Sequence, residues 1–220
     1  MTARLAVLAS GRGSNLRAIL SAIEAGRLDA EVVGVFSDKP QAPALAMVPA
    51  ERRWSASPRA YPDRAAFDAA LADAVAAVRP DWVVCAGYMR ILGDAFTARF
   101  RGRLLNIHPS LLPKYRGLHT HARALEAGDA EHGASVHFVV PELDAGAVVA
   151  QARVPVLPGD TPEALAARLL PREHALLVAV LELAAQGALA EQGETVFVHG
   201  QARLNPLSLD SSDRLDPSLS

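Results

Sequence analysis

Three short runs in the first half of the chain are apolar on both faces: L-A-V-L-A within Arg4–Ala9, V-V-G-V-F within Glu31–Phe36, and W-V-V-C-A within Asp81–Ala86. Side chains alternate across a strand, so a strand with no polar face needs cover on both sides. A fourth run, Leu104–Ile107, is apolar apart from Asn106, and Pro109 stops it because proline lacks an N–H for the ladder. Between the strands lie helical patterns. Leu16, Ile19, Leu20 and Ile23 recur at the helical period and Gly26 closes the set. Asp63 is placed to cap a helix marked by Phe67, Leu71, Val75 and Val78, which ends before Pro80. A later pair of strands, Ser135–Val140 and Ala147–Val156, is joined by the acidic, Gly-containing turn Pro141–Gly146. These runs predict an α/β fold over residues 1–203, with a mostly parallel central sheet, helices on both faces and a late antiparallel strand pair.

The remaining segments are less regular. Gln41–Arg53 has helical composition interrupted by Pro43 and Pro49, and Pro49 is expected to end that helix. Gly117–Gly128 reads as a helix. Asp160-Thr161-Pro162-Glu163 is a strong helix start, continued by Leu165, Leu169, Leu176, Leu177, Val180 and Leu181. Within it, Pro171 crowds the carbonyl of Ala167 and predicts a kink. Glu194–His199 suggests a short strand, and residues 204–220, with no period, are expected to form a loose tail.

Charge and cysteine content narrow the function. With 22 basic and 24 acidic residues and a pI near 6.4, the chain has no general basic field for nucleic acid. A locally positive pocket for one phosphate remains compatible with that balance. The single cysteine, Cys85, rules out an internal disulfide and a Cys-rich metal site, and its apolar surroundings make it a buried structural thiol. No signal-peptide pattern and no apolar span of membrane length is present, so a cytoplasmic protein acting on small molecules is expected.

Several residues carry candidate chemistry. Asn106 and His108 lie two apart at the end of a strand and so share a face. An amide donor can stabilise a developing oxyanion, and an imidazole can move a proton near neutral pH. An isolated Asn-x-His pair is more often buried and self-satisfied, but the irregular apolar segment Ser110-Leu111-Leu112-Pro113 behind it has the character of a pocket wall. Gly11 to Asn15 links the first strand to a helix start, where glycines allow close approach and N–H groups face an anion. Leu16 occupies the third glycine position of the dinucleotide fingerprint, so that motif is absent, and an ordinary helix cap is the competing reading. Met89-Arg90-Ile91-Leu92 leaves the end of a strand, where open α/β sheets place ligands, although M-R-I-L also reads as core with one exposed Arg. His119 and His121 begin a helix without a carboxylate or Cys at metal-ligand spacing, so no metal site is expected. Asp144 in L-D-A-G, with His137 one strand upstream, adds a carboxylate that can tune proton transfer.

The stretch N-I-H-P-S-L-L-P-K-Y-R-G-L-H-T-H, Asn106 to His121, resembles the signature of the folate-dependent formyltransferases, and the resemblance runs from about residue 4 to about residue 200. It implies transfer of a formyl group from 10-formyltetrahydrofolate, without a metal, to the amine of glycinamide ribonucleotide in purine synthesis. Catalytic roles fall on Asn106, His108 and Asp144, with His108 acting as an imidazolium held charged by Asp144. Gly13, Ser14 and Asn15 match the family's phosphate site and Glu173 its ribose-binding acid. Arg64, Met89, Arg90, Ile91, Leu92 and Asn106 match the folate site, with His119, His121 and His137 in support. A homodimer is left open.

Other readings remain. A methionyl-tRNA formyltransferase shares the S-L-L-P neighbourhood but resembles the chain less at Gly13–Asn15 and His119–His121. It would also carry a tRNA-binding domain and a basic surface. A formyltetrahydrofolate hydrolase would place a regulatory domain before the first strand. A non-catalytic nucleotide-binding module would need only the Gly-rich loop.

Overall fold

The apolar runs form the middle of a nine-stranded sheet. The structure, a computed structural model, describes residues 2–216. In chain order the first half contains β1 (Ala3–Leu8), α1 (Ser14–Glu24), β2 (Ala30–Ser37), β3 (Arg53–Ser55), α2 (Arg64–Ala77), β4 (Trp82–Cys85), α3 (Asp94–Arg99) and β5 (Leu104–His108). The second half contains α4 (Thr120–Glu126), β6 (Glu131–Phe138), β7 (Val148–Pro155), α5 (Pro162–Ala185), β8 (Leu189–Gln192), β9 (Thr195–Val198), β10 (Gln201–Arg203), β11 (Leu207–Leu209) and β12 (Leu215–Asp216).

The large sheet has the order β12-β11-β7-β6-β5-β4-β1-β2-β3, and β8 to β10 make a separate three-stranded sheet. Strands β3, β2, β1, β4 and β5 are mutually parallel, whereas β6 runs antiparallel to both β5 and β7. The direction therefore changes at β5. Alternation sorts the apolar side chains into two layers. Leu5, Val7, Leu105 and Ile107 pack with α1 and α5 on one face, while Ala6, Leu8, Val83 and Leu104 pack with Phe67, Leu71 and Phe96 of α2 and α3 on the other. Each fully buried Leu or Phe contributes about 1.5–3 kcal/mol, so this double cover is what holds strands with no polar face.

Several boundaries differ from expectation. Asp63 does cap α2, its side chain accepting from the Ala66 N–H at 2.8 Å. Gln41–Arg53 is not one helix; 3-10 turns at Pro43–Met47 and Ala50–Arg52 flank an extended Val48, which the following Pro49 keeps out of helical geometry. Helix α5 runs without interruption through Pro171, which faces solvent. Helix α4 starts late because His119 is left-handed, with φ 59°.

The expectation of a loose tail is corrected over residues 207–216, and residues 217–220 lie outside the described residues. Strand β11 pairs in parallel with β7, burying Leu207 and Leu209. Arg172 of α5 donates to the carbonyls of Leu209 at 2.9 Å and Asp210 at 2.7 Å and pairs with Asp213. Two leucines in a three-residue strand are too few to register as a period. Among the described residues no helix is long and apolar enough to cross a membrane.

Candidate active site

Asn106 and His108 stand at the C-terminal end of β5, on the strand face opposite Leu105 and Ile107. Across the antiparallel pair, Asn106 faces His137 and His108 faces Ser135, so the four side chains share one face. The ring of His137 is oriented by its own strand: Nδ1–H donates to the Phe138 carbonyl at 2.8 Å. That leaves Nε2 as an acceptor, and the Asn106 amide donates to it at 3.0 Å. One amide N–H of Asn106 is thereby fixed, and the second is free for a ligand oxygen.

His108 is oriented by backbone as well. Its Nε2–H donates to the Tyr115 carbonyl at 2.9 Å. The loop that delivers this carbonyl is held from below. Ser135 Oγ donates to Ser110 O at 2.7 Å and accepts from Leu112 N–H at 3.0 Å, and Gln151 Nε2 donates to both Leu112 O and Ser135 Oγ at 2.9 Å. With Nε2 committed, Nδ1 is the working nitrogen, and it lies 3.4 Å from Asp144 Oδ2.

Asp144 comes from the loop between β6 and β7, in a left-handed conformation with φ 48°. Its Oδ2 accepts from Gly117 N–H at 2.9 Å and its Oδ1 lies 3.6 Å from His137 Nε2. The loop fits because residue 146 is glycine: a Cβ there would lie 1.9 Å from the Phe138 carbonyl oxygen. Burial by itself would raise the Asp144 carboxyl, but the adjoining His137 ring, the Gly117 N–H and the His108 imidazole carry it below the usual carboxylate range. It is therefore ionised at neutral pH.

The imidazole of His108 departs from expectation. Burial lowers its pKa below 6.5, outweighing the Tyr115 hydrogen bond and the Asp144 charge, which raise it, while His137 and Arg123 lower it further. Asp144 does favour the charged ring, yet in the free protein the ring is mostly neutral at pH 7. The unliganded protein therefore does not rest with the imidazolium expected from the sequence.

The other predicted residues lie on separate elements. Gly13 is left-handed, φ 77°, and precedes α1, whose first turn contains no acidic residue; Asn15 is buried with its Oδ1 unpartnered. A Cβ on Gly13 would lie 2.8 Å from Ala44 Cβ, so this glycine also packs the loop against the Pro43–Met47 turn. Met89 and Ile91 are 62% and 50% exposed while Leu92 is buried, and the Arg90 guanidinium stacks over Phe67 at 5.1 Å. Arg64 donates to the Ile91 carbonyl at 2.5 Å and lies 3.5 Å from Asp68, so it braces this segment from α2. Glu173 is buried on α5, and burial raises its carboxyl to about 7. His121 meets His132 edge-on at 5.0 Å, its pKa lowered by burial and then by His108. His119 is exposed and makes no bond to the central cluster. Among the described residues no group of three or more His, Cys, Asp and Glu is arranged to hold a metal ion.

Sequence reasoning missed the backbone partners, the Ser135–Gln151 prop and the buried His132, whose pKa falls to about 4 through burial and its neighbour His121. Ser135 was findable, since it stands two residues from His137 on the same strand face.

An amide donor and an imidazole at the end of β5, with a buried carboxylate from the β6–β7 loop, are the groups that acyl-group transfer uses. The chain belongs to the formyl transferase family, whose model matches residues 3–181. It is 46% identical over 206 residues to the phosphoribosylglycinamide formyltransferase of Escherichia coli, covering 92% of this chain and 96% of that one. The enzyme of the same name from Mycobacterium tuberculosis is 46% identical over 195 residues, 88% of each chain. The phosphoribosylglycinamide formyltransferase structure from Coxiella burnetii superposes with a TM-score of 0.86 at 42% identity, covering 92% of this chain and 96% of that one.

Proposed function

We propose that this chain transfers the formyl group of 10-formyltetrahydrofolate to the amine of 5'-phosphoribosylglycinamide, a step of purine biosynthesis. The observation that carries this reading is the cluster of Asn106, His108, His137 and Asp144, in which both imidazoles and the carboxylate are held by hydrogen bonds while one Asn106 N–H and His108 Nδ1 are left for the reaction. Similarity to phosphoribosylglycinamide formyltransferases along nearly the whole chain supports the choice of substrates.

The ribonucleotide phosphate lies on the backbone N–H groups of Gly13, Ser14 and Asn15, with Glu173 on the ribose. The folate lies against Met89, Arg90, Ile91 and Leu92, with Arg64 bracing that segment, and reaches Asn106. His119, His121 and His137 support the centre. The amine attacks the formyl carbon, and Asn106 donates to the developing oxyanion. His108 Nδ1, neutral at the start, takes the proton the attacking nitrogen must lose. Asp144 stabilises the imidazolium so formed. The same proton then passes to the departing folate nitrogen, which leaves the ring neutral again. Holding both ligands in attacking geometry supplies much of the acceleration.

The test is to incubate the protein with 10-formyltetrahydrofolate and follow deformylation with the ribonucleotide or with water alone as acceptor. Deformylation only with the ribonucleotide is expected. Equal loss in water would assign a hydrolase, and no loss in either would leave a binding module.

A further inference from the structure

The two ligand loops of the proposed reaction meet at one serine, Ser10, through its backbone and its hydroxyl. Ser10 lies two residues past β1, begins the Gly-rich loop, and is almost completely buried. Its backbone N–H donates to the Gly87 carbonyl at 3.0 Å, which ties β1 to the segment after β4. Its Oγ donates to Asp38 Oδ1 at 2.5 Å and accepts from the Met89 N–H at 2.9 Å. Asp38 follows β2 and is itself buried. One hydroxyl thus joins the carboxyl ends of β1, β2 and β4.

On one side of Ser10 the chain enters the loop whose Gly11 carbonyl accepts from Ala44 N–H at 3.2 Å. On the other side it holds Met89, the first residue of a segment whose far end is braced by Arg64 on the Ile91 carbonyl. Asp38 has a definite function in this arrangement: by accepting the hydroxyl proton it turns the oxygen lone pairs toward Met89.

We propose that Ser10 is a positioning residue that sets the spacing between the phosphate loop and the folate loop, with Asp38 orienting its hydroxyl. This rests on the assignment of those loops to the two substrates. Ser10 touches neither reacting atom. It acts by holding the two binding segments at the separation that brings the amine to the formyl carbon, and misplacement of reacting groups by about 1 Å costs on the order of 100-fold in rate. Removing the hydroxyl should therefore lower turnover more than it weakens either ligand.

The experiment compares wild type, Ser10→Ala, Asp38→Ala and Asp38→Asn for kcat, for the separate Kd values of the ribonucleotide and a non-reactive folate analogue, and for melting temperature. Ser10→Ala should lose at least about tenfold in kcat with both Kd values within about twofold of wild type. Asp38→Ala, which keeps the hydroxyl but not its acceptor, should lose turnover in the same selective way and serves if Ser10→Ala folds poorly. Asp38→Asn retains an acceptor oxygen and should recover most of the rate. Unchanged kcat in both alanine variants, or a rise in one Kd with kcat intact, would overturn the positioning role. A wild type that transfers no formyl group to the ribonucleotide would instead remove the functional reading, and this proposal with it.

Discussion

The parallel half of the central sheet, β3 to β5, and its antiparallel half, β6, β7 and the strands beyond, contribute to the site in different ways. The parallel half offers loops at the carboxyl ends of its strands, with free backbone N–H groups after β1 and exposed Met89 and Ile91 after β4. These segments are open to solvent. The antiparallel half offers side chains already tied to one another: His137 on the Phe138 carbonyl, Asn106 on His137, Asp144 on the Gly117 N–H. In the proposed function the first are the binding surfaces and the second is the preassembled reacting centre. The two meet at β5, the strand that is parallel on one side and antiparallel on the other. Under the proposed function, a centre at that junction takes its ligands from one half and rigid polar support from the other.

The largest expected effects fall on the junction itself. Asn106→Asp exchanges the free donor for a charge of the same sign as the oxyanion, and it should lower kcat by at least about 100- to 1000-fold. His108→Ala should lower it by about 100- to 10,000-fold. Both variants should still bind each ligand and melt close to wild type, as followed by calorimetry and equilibrium binding. Loss of ligand affinity in step with kcat would mean that the centre is not separable from the binding loops, and the division between the halves would fail.

A smaller effect tests how far the antiparallel half extends. Removing residues 205–220 uncovers the edge of β7 and deletes the buried Leu207 and Leu209. Two such side chains correspond to about 3–6 kcal/mol, which lowers the melting temperature on the order of 10 °C in a chain of this size. Turnover of the protein that remains folded should stay within about twofold of wild type. An unchanged melting temperature would show that β11 and β12 contribute nothing to the sheet.

The same division explains what the sequence made legible. The parallel half is built from strands such as Val83-Val84-Cys85 and helices with periodic Leu and Phe, and burial on two faces leaves an unmistakable pattern. The antiparallel half mixes Ser135, His137 and Gln151 among its apolar residues, because one face carries the polar cluster. Its strands were found, but with shifted ends, and β11 escaped notice. Within the site, Asn106, His108 and Asp144 were readable from the motif they resemble. Their working state was not. The carbonyls of Tyr115 and Phe138 that fix the two imidazoles belong to backbone, which carries no residue identity, and the burial that lowers His108 depends on the packed structure. Charge pairing alone pointed to a resting imidazolium; desolvation outweighs it.

The central claim is that Tyr115 commits Nε2 of His108, leaving Nδ1 as the nitrogen that moves the proton beside Asp144. Nitrogen-15 NMR of histidine-labelled protein, titrated with pH in wild type and Asp144→Asn, reads this directly. A nearby carboxylate favours the charged ring, so its removal must lower the imidazole pKa. The account predicts a neutral His108 protonated on Nε2, with a wild-type midpoint below 6.5 and a lower midpoint still in Asp144→Asn. A neutral ring protonated on Nδ1, or a midpoint that rises when Asp144 is removed, would contradict it.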